Sequence, residues 1–210
     1  MLVVCLGTAT EVGKTWVGAA VLSGLRARGV SVAARKPVQS FEDDEPGPTD
    51  ADVLAAATGV HRHDVCPGHR SYGVAMAPPM AAAVLEREAF TLADLVAELE
   101  WPSPPPAVRW VETVGGPRAP ISFDADSLDV CDVLDPDLVV LVGDAGLGTI
   151  NAVRLCATVI GDRPFVVHLN RYDDGDELHV LNRAWLSDRD GYDVTVTVDA
   201  LVERLSGARP

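Results

Sequence analysis

The chain has 210 residues, the size of one α/β domain that buries roughly 70% of its unfolded surface without metal or disulfide staples. Hydrophobic residues make up 48% and charged residues 23%, a balance that excludes disorder as the main description. With 31 acidic against 17 basic residues the net charge is −14, which repels nucleic acid and anionic membranes at long range and leaves room only for a local anion site.

Leu2 to Leu6 is a continuous apolar run, read as a buried strand. A glycine-bearing loop follows, then a helix from about Lys14 to Arg28 stopped by Gly29. Ser31 to Pro37 reads as a second strand. Thr49 or Asp50 caps a short helix through Thr58, ended by Gly59. His61 to Tyr72 is expected to be irregular. Pro79 to Glu88 and Thr91 to Glu100 each open with a residue suited to a helix start. Trp101 to Pro106 holds four prolines in six residues and is a loop, because an apolar strand, Ala107 to Val114, follows at once. Asp137 to Val142 is another buried strand, Thr149 to Ile160 a helix and Pro164 to Leu169 a strand. A helix (Asp176 to Leu186), a weak strand near Val194 and a closing helix (Asp199 to Leu205) complete the chain. Apolar strands alternating with helices mean a parallel sheet covered on both faces. The expectation is a single doubly wound α/β domain over 1–210.

Four cysteines are widely spaced, with no C-x-x-C pair, and read as small buried hydrophobes in a reducing cytoplasm. No apolar run approaches the roughly 20 residues of a membrane span, and the first residues lack the basic segment of a secretory signal. No nucleic-acid or membrane partner is expected. Of the 17 basic residues only Lys14 and Lys36 are lysine, so a compact ammonium is what those two positions demand.

Gly7-Thr8-Ala9-Thr10-Glu11-Val12-Gly13-Lys14-Thr15 lies between a strand and a helix, where such a loop cradles phosphates with its backbone N–H groups. Lys14 would reach the β- and γ-phosphates and the Thr15 hydroxyl would bind Mg2+. Five residues separate the two glycines instead of the common four, and Thr8 takes the usual first-glycine slot. Metal carboxylates should lie at the C-terminal ends of parallel strands. Glu112, closing an apolar strand ahead of Gly115-Gly116, is the first candidate; Asp50 and Asp52 are the others.

This loop is similar to the unusual phosphate loop of the dethiobiotin synthetases. The similarity continues in Lys36-Pro37-Val38-Gln39-Ser40, Met76-Ala77-Pro78-Pro79-Met80-Ala81-Ala82, Val111-Glu112-Thr113-Val114-Gly115-Gly116 and Gly146-Leu147-Gly148-Thr149-Ile150-Asn151, with Asn170 after the next strand. The resemblance implies a P-loop NTPase-like fold and an ATP- and Mg2+-dependent ring closure. CO2 adds to an amine of 7,8-diaminononanoate to form a carbamate. ATP phosphorylates the carbamate, and the second amine attacks the mixed anhydride to close the cyclic urea.

It further implies a nucleotide site of Glu11, Val12, Gly13, Lys14, Thr15, Gly115, Gly116 and Asn170, the last reading adenine. Thr15, Asp50 and Glu112 match Mg2+ ligands. Lys14, Lys36, Thr10 and Ser40 form the implied catalytic set, the last three around the diamine carbamate. Gly148, Thr149, Ile150 and Asn151 match a helix start that binds the substrate carboxylate, supplied by the partner subunit of a homodimer. The chemistry is sensible in itself: a carbamate and a triphosphate are both anions, and two lysines plus Mg2+ supply the cations that bring them together.

Ala9 stands where the family commonly has aspartate. Thr113 replaces a usual glycine and is expected to add a side chain near the phosphates. Pro117-Arg118-Ala119-Pro120 replaces a more apolar segment. The tyrosine that often meets the substrate and the second adenine-binding segment have no clear match; Tyr172 and Asn182 are the available stand-ins. Two other readings stay open: a diverged paralogue that binds nucleotide as a regulator or acts on another amine, and a partitioning-type ATPase, which would carry an extra lysine early in the loop. Elsewhere His168 is expected to be a satisfied core residue, His61 and His63 to be solvated, and Trp16, Trp110 and Trp185 to pack in the core.

Overall fold

In the computed structural model, which describes residues 1–44 and 47–207, β1 (Leu2–Gly7) leads through the glycine loop into α1 (Lys14–Ala27) and β2 (Val32–Arg35). Residues 45–46 and 208–210 lie outside the described residues. Next come β3 (Gln39–Ser40), α2 (Asp50–Thr58), α3 (Arg62–Val65) and β4 (Ser71–Tyr72), then α4 (Pro78–Val84), α5 (Leu92–Ala97), β5 (Val108–Glu112) and α6 (Asp129–Leu134). The remainder is β6 (Leu138–Asp144), α7 (Thr149–Ile160), β7 (Phe165–Asn170), α8 (Glu177–Ala184) running into a π turn, β8 (Val194–Thr195) and α9 (Val198–Gly207).

Six strands form a parallel sheet in the order β2-β5-β1-β6-β7-β8. Its apolar runs are continuous because alternate side chains enter two different cores. Val4, Leu6, Val111, Leu141 and Leu169 pack on one face with α4, α5, α6 and α7. Val3, Cys5, Trp110, Val140 and Val166 pack on the other with α1, α2 and α9. The fold is the expected α/β class, mostly parallel and wound on both faces.

The central strand β1 lies between β5 and β6, so the chain's direction of travel across the sheet reverses there. A crevice opens at the carboxyl ends of strands at such a switch point. The ends of β1, β5, β6 and β7 bring Gly7, Glu112, Asp144 and Asn170 to that one edge of the sheet.

Several local expectations need correction. His61 to Tyr72 is not irregular: it holds α3, a 3-10 turn and β4, which pairs with β3 as a small second parallel sheet. The helices expected over 79–88 and 91–100 are shorter, α4 and α5, and α6 was not anticipated. Its six residues are too short to show a helical period. Among the described residues no helix is long and apolar enough to cross a membrane.

Candidate active site

Gly13 begins the site. It caps α1 in the left-handed region (φ 90°, ψ 29°), and a Cβ there would collide with the Asn170 amide nitrogen, so the turn that exposes the first N–H groups of α1 favours glycine. Lys14, buried, folds back so that its ammonium donates to the Gly115 carbonyl at 3.1 Å and the Ala9 carbonyl at 3.4 Å. Burial, then the neighbouring Lys36 charge, lower its pKa from the usual lysine range.

Four groups from four elements converge beside it. Lys36 Nζ, just past β2, lies 2.7 Å from Glu112 Oε1 at the end of β5 and 2.9 Å from Asp50 Oδ2 at the start of α2. The Thr15 hydroxyl lies 2.8 Å from Asp50 Oδ1 and 2.7 Å from Glu112 Oε1. Burial alone would push the Lys36 ammonium toward neutrality; Glu112 and Asp50 outweigh it and hold the pKa above the ordinary lysine value. Burial likewise pushes the Asp50 carboxyl up, but Lys36 and the Thr15 hydroxyl draw it below the usual carboxylate range.

Glu112 is fully buried, yet its Oε2 has no hydrogen-bond partner. An unpaired buried carboxylate oxygen is costly, and the Glu112 carboxylate, whose other oxygen meets the Thr15 hydroxyl, fits a divalent cation together with Asp50. Mg2+ takes one or two carboxylates and completes its shell with water and phosphate oxygens, so two acids and a hydroxyl suffice. Asp52 is not part of this set. Its carboxylate accepts from the Thr49 N–H and hydroxyl in the capping box of α2. Asp50, two positions earlier, meets Lys36 and Thr15 instead.

A cavity of about 500 Å³ beside the glycine loop, the candidate phosphate cavity, is lined by Thr10, Glu11, Gly13, Lys14, Thr15 and Lys36, together with Asp50, Gly115 and Arg171. Val12 is buried beneath the loop, and its carbonyl accepts from Asn170 Nδ2 at 2.9 Å. Gly116 lies against the Thr8 carbonyl. Ser40 does not line this cavity: its hydroxyl donates to the Met76 carbonyl at 2.6 Å. Gly148, Thr149, Ile150 and Asn151 open α7 at the same edge of the sheet but likewise stay outside it. The buried Thr149 hydroxyl has no partner.

Two expectations about departures change here. The Thr113 side chain does not approach the phosphates; its hydroxyl donates back to the Cys5 carbonyl at 3.0 Å, inside the sheet. Asn182 lines neither this cavity nor the next: its buried amide donates to the Ala145 and Gly146 carbonyls. Tyr172 does reach a second cavity, of about 560 Å³, which it lines together with Asn170 and the segment Val196 to Val198.

Trp110 is core as expected, but Trp16 and Trp185 are exposed. Sequence reasoning missed Arg171, whose guanidinium donates to Asp144 Oδ2 at 2.9 Å and to the Glu11 carbonyl at 3.0 Å. Its place one residue beyond Asn170 at a strand end was the available signal. The 196–198 segment carried none, since only β8's pairing with β7 brings it near.

Residues 2–172 match the model of an AAA domain family. The chain is 36% identical over 149 residues to "ATP-dependent dethiobiotin synthetase BioD" of Corynebacterium efficiens, covering 71% of this chain and 64% of that protein. It is 36% identical over 162 residues to the protein of the same name from Caulobacter vibrioides, covering 75% of this chain and 72% of that one. With the Aquifex aeolicus protein of that name the identity is 34% over 152 residues, 72% of this chain and 66% of the relative. The chain thus spans a little under two thirds of the Corynebacterium relative's length.

Among solved structures, chloroplast FtsY from Physcomitrella patens superposes with a TM-score of 0.52 at 16% identity, over 97% of this chain and 64% of that one. Signal recognition particle receptor FtsY from Elizabethkingia anophelis gives 0.52 at 14%, over 98% and 64%. These two share the fold alone. The phosphate loop, the paired carboxylates and the sequence relatives agree: the chain belongs to the dethiobiotin synthetase family.

Proposed function

We propose that the chain is a C–N ligase, an ATP-dependent dethiobiotin synthetase built as one domain, which carboxylates 7,8-diaminononanoate and closes its ureido ring. The observation that carries this reading is the convergence of both lysines of the chain on one cavity, Lys14 under the phosphate loop and Lys36 between Glu112 and Asp50. Two anions must meet for a carbamate to take a phosphoryl group, and fixed ammonium groups offset their repulsion.

In this reading the loop N–H groups from Glu11 to Thr15 and the Lys14 ammonium hold the triphosphate. Gly115 and Gly116 close over the loop. Thr15, Asp50 and Glu112 would hold Mg2+, which supplies charge neutralisation of the phosphate oxygens. Lys36 orients the carbamate oxygen toward the γ-phosphorus, helped by Thr10, which lines the same cavity. The phosphorylated carbamate keeps its carbonyl carbon activated, the second amine attacks that carbon, and phosphate leaves as the ring closes.

The amide of Asn170 gives its N–H to Val12, which leaves Oδ1 to accept from an exocyclic amine such as that of adenine.

The carboxylate of the diamine substrate binds at Gly148 to Asn151 of the partner subunit in a homodimer. Exposed Leu147 beside that helix start and exposed Leu155 and Leu181 on α7 and α8 supply apolar area for such an interface. Four free buried cysteines fit a cytoplasmic location.

Phosphate release measured with Mg-ATP and bicarbonate, with and without the diamine, tests the proposal. Release should require the diamine, yield the cyclic urea, and fall on the order of 10²- to 10³-fold in Lys36→Ala. Release indifferent to the diamine would instead assign the chain to a diverged paralogue.

A further inference from the structure

Trp16 is the least explained side chain near the site. The apolar residues that follow it on α1, Val17, Val21, Leu22 and Leu25, are buried, whereas Trp16 is 60% exposed. Trp101 lies under the guanidinium groups of Arg35 and Arg109, and Trp185 under those of Arg154 and Arg189. Trp110 is fully buried. Among the described residues no cation or aromatic ring covers Trp16 in the same way, so a large π face is left in water where burial would stabilise the fold.

That face lies on the second cavity. Gly13 and Arg171 line this cavity as well as the phosphate cavity, so the two adjoin at the start of α1. Phosphates held there leave the remainder of a nucleotide to extend into the adjoining space, whose volume of about 560 Å³ is that of a small-molecule site. Its other walls are chemically suited to a base: the Asn170 amide for an edge, and Val196 and Val198 for apolar contact.

We propose that Trp16 is the stacking wall of the nucleobase, a positioning and specificity residue that favours purine over pyrimidine nucleotides by contact area. The inference rests on the nucleotide reading of the phosphate loop, and adds to it which side chain grips the base. A ring stacked on Trp16 also makes the residue an intrinsic reporter of occupancy.

The test compares binding of ADP with that of inorganic triphosphate, which has phosphates but no base, using the intact chain with Mg2+ in calorimetry and tryptophan fluorescence. ADP should quench the wild-type fluorescence and CTP should bind more weakly than ATP. Trp16→Phe should lose the quench while keeping ADP affinity within a few-fold, and Trp16→Ala should weaken ADP on the order of tenfold. Triphosphate affinity should be the same in all three proteins.

Undiminished ADP affinity in Trp16→Ala, or a quench that survives in Trp16→Phe, would overturn the stacking role. Parallel loss of ADP and triphosphate affinity in Trp16→Ala would overturn it too, assigning Trp16 to the loop. A wild type that binds neither ligand would remove the nucleotide reading itself, a different failure.

Discussion

Lys36 and His168 show opposite outcomes of burying a titratable side chain. Lys36 is almost wholly buried and stays charged because two carboxylates meet its ammonium; only the loss of both would leave it a costly unpaired charge. His168, in β7, is equally buried but has only the Thr195 hydroxyl, 3.0 Å from Nδ1. Burial therefore pushes its pKa from 6.5 down to about 4. The unfolded chain takes up a proton between these values while the native chain does not, so stability falls as the pH drops through 6.5. The loss reaches about 3 kcal/mol by pH 4 and grows no further below it, where both states are protonated. Urea unfolding followed from pH 7.5 to pH 4 should show this slope, and His168→Gln should flatten it; an unchanged slope in the variant would place the proton elsewhere. The core position of His168 was legible in the sequence, since the histidine interrupts an apolar run. The exposure of Trp16 was not, because a tryptophan next to apolar helix residues has the same pattern whether it faces a core or a cavity.

At the scale of elements, the strand–loop–helix unit of β1 and α1 is the most local part of the site and the most legible. Its glycine and lysine spacing, the apolar run before it and the helical period after it are all contained in the 26 consecutive residues from Leu2 to Ala27. Its tolerance can be measured by contrasting two left-handed glycines. Gly13 (φ 90°) and Gly29 (φ 77°) would both strain on gaining a side chain, but only at Gly13 would a Cβ meet a neighbour, Asn170; at Gly29 nothing lies within 4 Å. Gly13→Ala and Gly29→Ala should each lower stability by about 1–2 kcal/mol, read as a shift in thermal unfolding. Nucleotide affinity should drop tenfold or more for Gly13→Ala alone. Equal affinity in the two variants would mean that the loop reshapes around the methyl. The cap of α2 is a subtler case: Thr49 and two nearby acids were recognisable as a helix start, but which acid caps and which serves the site was decided by geometry. Asp52 sits at the third helical position, where it closes the box with Thr49. Asp50 is thereby turned to Lys36.

For the whole molecule, the decisive fact is the strand order. Lys14, Lys36, Asp50 and Glu112 are up to 98 positions apart in the chain, and they meet because β1 pairs with β5 while β2 flanks β5 on its other side. The exposed apolar residues Leu147 (92% exposed) and Leu181 (58%) belong to the same scale. If they form the proposed subunit interface, light scattering should give twice the chain mass, and Leu181→Glu should shift it toward monomer. That variant should also lose diamine-dependent turnover while retaining ADP binding. A monomeric wild type with full turnover would refute the shared site.

By itself the sequence determined the α/β class, the phosphate loop and the pair of lysines. Each is encoded in local periodicity, in neighbouring residues, or in the contrast between two lysines and fifteen arginines. Only the tertiary structure decided that Asp50 and not Asp52 joins Glu112, that Thr113 turns away from the phosphates, and that Val196 to Val198 wall a cavity beside Trp16. Those outcomes depend on strand pairing and on the direction in which each side chain leaves its element, and neither is written in any single stretch of chain.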